Sequence, residues 1–98
     1  MTGSVGTAAG SLAMASANPG RQPILSYSLA KRGRVTLKVY DVQGRLIRTL
    51  IDQDAAAGDF RATWDGKTDS GESVGNGVYM ARLTSDGATV DSRKVVIR

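Results

Sequence analysis

The chain has 98 residues, no cysteine, no histidine and a formal charge of +4. That length allows one small domain, and the two missing residue types exclude disulfide frameworks, Cys/His zinc sites, haem ligation and every catalytic device built on His or Cys. Apolar residues make up 41%, aromatics only 5%, and 12 glycines are present, a composition that suits a turn-rich β domain better than a helical bundle. The charge is sorted along the chain: residues 1–20 carry none, 21–48 carry +6, 49–92 carry −5 and 93–98 carry +3. No apolar run approaches the ~20 residues needed to span a bilayer, so no membrane insertion is expected.

Residues 1–17 are Gly, Ala, Ser and Thr with scattered Val5, Leu12 and Met14. Ala13-Met14-Ala15 and Ala15-Ser16-Ala17 imitate a signal-peptide cleavage site, but no basic segment precedes them and Gly and Ser interrupt the apolar stretch. The segment is read as a linker, or as an edge strand around Leu12–Ala17. Residues 18–98 are expected to form one β-sandwich domain.

From Pro23 onward the apolar residues recur with period two, the mark of half-buried strands. Leu25, Tyr27 and Leu29 form one such series, followed by Val35, Leu37 and Val39. Phe60, Ala62 and Trp64 form a third, and Tyr79, Ala81 and Leu83 a fourth. Leu46–Ile51 and Val90–Ile97 are apolar with irregular phase, which a bulge explains. Asp41-Val42-Gln43-Gly44 suits a type I turn closed by a left-handed Gly, and Asp86-Gly87 carries the hairpin signal. Asp65-Gly66, Asp69-Ser70-Gly71 and Gly75-Asn76-Gly77 punctuate a long polar loop. No stretch has helical periodicity. The expected fold is all-β: an antiparallel immunoglobulin-like sandwich of about seven strands.

Few residues offer chemistry. Trp64, the only Trp, is expected in the core with its indole N–H on a loop carbonyl. Tyr79 is also assigned to the core, whereas Tyr40 lies on the opposite strand face from Val35, Leu37 and Val39. Asp65, Asp69 and Glu72 are weak candidates for a calcium site, but their spacing departs from the EF-hand pattern, and Asp commonly caps turns. Asp52 and Asp54 are read as a solvated loop. A hydroxyl nucleophile needs a base within hydrogen-bond reach, and a small sandwich has little room for a cleft between paired carboxylates. No enzyme activity and no cofactor are expected. The bases from Arg21 to Arg48 are short of interleaved aromatics, which argues against nucleic acid.

Tyr40-Asp41-Val42-Gln43-Gly44-Arg45, Ile47, Leu50, Gly58, Trp64-Asp65-Gly66, Asp69-Ser70-Gly71, Val74, Gly77-Val78-Tyr79, Leu83 and Lys94–Arg98 stand in a distinctive order. The span from Asn18-Pro19 to Arg98 resembles the C-terminal sorting domain of proteins exported by the bacterial type IX secretion system. It is also similar to the immunoglobulin-like domain of flagellar hook-capping proteins. Gly20 stands where the sorting family usually has an aromatic. The sorting resemblance implies a non-catalytic secretion and attachment module behind an upstream cargo domain, secreted or at the surface of a Gram-negative bacterium. An outer-membrane translocon would read Asp41, Gly44 and Arg45 together with Lys94, Val95, Val96, Ile97 and Arg98. The alternative is a structural assembly module, a hook-cap-like scaffold or filament subunit, whose partners are neighbouring subunits and whose uncharged N-terminal segment adds to a neighbour's sheet edge. A carbohydrate-binding domain is a third option, with Trp64 as its platform. The sorted charge makes the domain a dipole that can steer contacts.

Overall fold

The computed structural model describes residues 10–15 and 20–98. The Ser16-Ala17 and Asn18-Pro19 pairs lie outside the described residues. Seven strands follow in order: β1 (Gly10–Met14), β2 (Ile24–Leu29), β3 (Gly33–Tyr40), β4 (Leu46–Ala55), β5 (Gly58–Thr63), β6 (Gly77–Ser85) and β7 (Ala88–Ile97). They form a three-stranded sheet, β1-β2-β5, and a four-stranded sheet, β4-β3-β6-β7. Every strand pair in both sheets is antiparallel. The fold is an all-β immunoglobulin-like sandwich.

The period-two pattern sets the core. Leu25, Tyr27 and Leu29 point inward from β2, Val35, Leu37 and Val39 from β3, Ala81 and Leu83 from β6, and Val95 and Ile97 from β7; all are buried. Each large aliphatic buried in this way contributes about 1.5–3 kcal/mol. Trp64, just past β5, is buried, and its indole N–H donates to the Lys67 carbonyl at 2.9 Å. Tyr79 is half-buried rather than fully in the core: its ring meets Trp64 edge-on at 5.3 Å and its hydroxyl donates to the Gly75 carbonyl at 2.8 Å. A core position for Trp64 leaves no exposed indole platform for a sugar.

The irregular apolar stretches are bulged strands. Against β3, Leu37 faces Ile51 while Lys38 faces Thr49, so Leu50 is the extra residue; Ile47 is extra in the same way between Arg48 and Leu46. In β7, Val90 is extra between Thr89 and Asp91. Each bulge resets which face the following side chains occupy. β4 also runs on to Ala55, which corrects the reading of Asp52 and Asp54 as loop residues. No Gly or Pro interrupts β4 after Leu46, and Arg34 on the adjacent strand binds the Asp52 carboxylate at 2.8 Å. The β6–β7 hairpin turns on Asp86 and Gly87, whose φ angles of 51° and 85° suit the two-residue turn the sequence signals.

Carboxylates close exposed backbone at two edges. On β1 the Leu12 N–H donates to Asp91 Oδ2 at 2.9 Å. On β4 the Thr49 N–H donates to Asp69 Oδ1 and the Asp69 N–H to the Ile47 carbonyl, both at 3.0 Å. Asp69 therefore acts as a short surrogate strand. The end of β7 is covered too: Gly20 forms a parallel bridge to Ile97. Unpaired strand edges invite foreign strands, and these contacts discourage that.

Candidate functional site

The calcium candidates do not converge. Arg48 stands between Asp65 and Asp69, with guanidinium nitrogens 3.6 Å and 3.8 Å from their carboxylates. Asp65 also accepts the Lys67 N–H at 3.1 Å. Glu72 contributes main chain, exchanging bonds with Thr68. Among the described residues no group of three carboxylates is placed to hold a metal. The three residues organise the long loop and seal β4.

The Asp41–Arg45 turn is tightly built. The Gly44 N–H donates to the Asp41 carbonyl at 3.0 Å, and Gly44 sits at φ 84°, where a side chain would be strained. Asp41 Oδ1 accepts the Gln43 and Arg45 N–H groups at 2.9 Å and 3.0 Å, and Oδ2 accepts Arg45 Nε at 2.9 Å. The Arg45 N–H holds the Asp41 carboxyl below the ordinary carboxylate range; desolvation opposes this, and the Arg45 guanidinium and the Gln43 N–H add to the lowering.

The structure brings this turn and the C-terminal strand to the same end of the larger sheet. The register runs Leu46–Tyr40–Met80–Lys94 across β4, β3, β6 and β7. Of the C-terminal residues, Val95 and Ile97 are buried in the core, so only Lys94, Val96 and Arg98 are left within reach of a partner of the folded domain.

A surface that the sequence did not reveal emerges around these residues. Four exposed large apolar side chains are present among the described residues: Val42 (79% exposed), Leu46 (47%), Val78 (41%) and Met80 (38%). All four lie on the outer side of this one sheet end. Leu46 and Met80 flank Tyr40, Val78 pairs with Val96 on β7, and Val42 stands in the adjoining turn. A depression of about 350 Å³ is lined by Tyr40, Asp41, Val42, Val78, Met80 and Arg82 among others. One row further along the strands, Lys38 on β3 faces Arg82 on β6, and the Arg82 guanidinium lies 4.8 Å from the Tyr40 ring centre. The next row is Thr36 and Thr84, whose hydroxyls are hydrogen-bonded. The face thus grades from apolar through basic to hydroxylic. A contiguous apolar patch on a soluble domain marks an interaction site more often than scattered single residues do.

A family model described as the FlgD Ig-like domain matches residues 21–89. The chain belongs to the FlgD Ig-like domain family. It is a hook-capping-like immunoglobulin domain, one of the two resemblances drawn from its sequence. The chain is 42% identical over 57 residues to the basal-body rod modification protein FlgD of Salmonella typhimurium, and equally to that of Salmonella typhi. The match spans 57% of this chain and 25% of each relative. Among solved structures, FlgD from P. aeruginosa is similar at TM-score 0.57 and 26% identity, over 90% of this chain and 67% of that one. Latent PorU from Porphyromonas gingivalis matches at TM-score 0.71 and 17% identity, over 95% of this chain and 10% of that one. A β-glucosidase from Listeria innocua matches at TM-score 0.53 and 13% identity, over 93% of this chain and 16% of that one. At such identities the last two show shared fold alone.

Proposed function

We propose that this domain is a non-catalytic assembly module, a hook-cap-like scaffold domain of an extracellular bacterial structure. Its working surface is the outer face of the β4-β3-β6-β7 sheet beside the Asp41–Arg45 turn, and its partners are neighbouring subunits. The observation that carries this reading is the clustering of the exposed large apolar residues on that one face in a member of a structural protein family. The FlgD family favours assembly over catalysis, and a secreted or cell-surface location accompanies the assembly reading.

The form of assembly differs from donation of the N-terminal segment. Gly10–Met14 is already paired with β2 of its own sheet, and Leu12 fills its own core. Contact through a sheet face is therefore favoured over strand addition. The sorting reading has less support: the buried Val95 and Ile97 and the Gly20 bridge leave little of the terminal strand for a translocon to read. Two variants in the encoding bacterium separate the readings. Val42→Asp with Met80→Asp should abolish the assembled appendage, scored by electron microscopy, without reducing export. If truncation of Lys94–Arg98 blocks export of a fused reporter while the face variant assembles normally, the sorting reading replaces this one.

A further inference from the structure

Resting on the assembly reading, the geometry points to the chemistry of the partner: we infer that the outer face binds an extended, acid-bearing segment of a neighbouring protein. The segment would have the pattern apolar-x-apolar-x-acid. Three observations lead there. The first is an unfavourable pairing. Lys38 and Arg82 are direct cross-strand partners on an exposed face, and like charges so placed destabilise a sheet. The structure draws the Arg82 guanidinium over the Tyr40 ring. A local rule broken on the surface points to a use elsewhere.

The second is the distribution of counter-charges. Among the described residues the ion pairs engage Arg34, Arg45, Arg48 and Arg93. Lys38, Arg82 and Lys94 take part in none of these pairs, and no acid stands in their rows. Carboxylates from outside would complement them and remove the Lys38–Arg82 repulsion. Asp41, an acid that lines the depression, is already engaged by three donors of its own turn.

The third is spacing. Successive outward rows on these strands are Val78 with Val96, then Tyr40 with Met80, then Lys38 with Arg82. Alternate residues on one face of a strand repeat every ~7 Å. An extended segment lying along the strands has the same repeat. Those of its alternating side chains that face the sheet would meet an apolar row, a second apolar row that ends in Lys94 on β7, and then the basic row. Much of the apolar surface is strand floor around a depression, which a chain segment can enter and a planar bilayer cannot follow.

The test is selection of short random peptides displayed on phage against the 98-residue chain, with counter-selection on an Arg82→Glu variant. Enrichment of the apolar-x-apolar-x-acid pattern is expected. A selected peptide should bind about tenfold or more weakly to Arg82→Glu, and changing the peptide's acid to Lys should restore binding to that variant. Unchanged Trp64 emission shows that the variant is folded. The inference is overturned by absent enrichment, by enriched peptides without acids, or by affinity indifferent to Arg82→Glu. Flotation with vesicles of phosphatidylglycerol that Arg82→Glu abolishes would reassign the face to a membrane. Self-association in sedimentation that the same variant abolishes would reassign it to a second copy. If the Val42/Met80 variant loses assembly yet no peptide is enriched, the assembly reading stands and this partner chemistry fails.

Discussion

Leu12→Ala tests whether β1 belongs to this domain's own core. Leu12 is fully buried although it lies in a segment whose composition resembles a linker. Removing most of its side chain costs the lost burial plus a residual cavity, about 2–5 kcal/mol for Leu→Ala in cores. An edge strand collapses more easily than a central one, so the low end of that range, about 2–3 kcal/mol, is expected. Small domains hold only about 5–15 kcal/mol in total, so the loss shifts the unfolding midpoint visibly. Urea unfolding followed by Trp64 emission measures it. Gly10→Ala provides an independent probe, because a Cβ there would lie 2.0 Å from the Ser28 carbonyl oxygen. That main-chain atom cannot turn aside, so β1 must move off β2. If both variants unfold within about 0.5 kcal/mol of the parent, the range of ordinary surface changes, β1 does not dock in its own sheet and strand donation to a neighbour returns.

Asp41→Asn should destabilise at neutral pH, because the depressed native pKa makes the ionised form stabilising. The stabilisation is present above the ordinary carboxylate pKa and is lost as pH falls through the lower native value, so the gap between parent and variant in denaturant titrations should close in acid. Asp69→Ala should free the Thr49 N–H at the β4 edge while the main-chain N–H of residue 69 still reaches the Ile47 carbonyl, and concentration-dependent light scattering should rise while monomer stability falls by about 1–3 kcal/mol. Trp64→Phe should cost about 1–3 kcal/mol through the lost bond to the Lys67 carbonyl and the smaller ring; a melting temperature equal to the parent's would contradict the core role.

The fold was legible because each strand buries one face and so displays its period in the sequence. Val35, Leu37 and Val39 announce both a strand and its inner side, and Asp86-Gly87 announces a turn that strands on either side then obey. Even the bulges left a trace, as the broken phase of Leu46–Ile51 and Val90–Ile97. The length of β4 was hidden, because Asp52 and Asp54 have turn-forming chemistry and become strand residues only once Arg34 is known to lie alongside. The candidate face was hidden for a different reason. Tyr40, Val78 and Met80 are visibly out of phase with the core residues, but their adjacency depends on β3 pairing with β6, strands separated by two others in the chain. Alternation reveals which way a side chain points and says nothing of which strand is its neighbour. The sorted charge behaved likewise: Lys38 from the basic block and Arg82 from the acidic block end up facing each other, so chain position was a poor guide to local field.

The most direct test of the account is incorporation of the Val42→Asp/Met80→Asp variant into the assembled appendage, measured beside the purified variant's stability. Both side chains are exposed, so unfolding free energy should stay within about 0.5 kcal/mol of the parent while incorporation is lost. Normal incorporation of a folded variant would contradict the claim that this face is where the domain meets its partner.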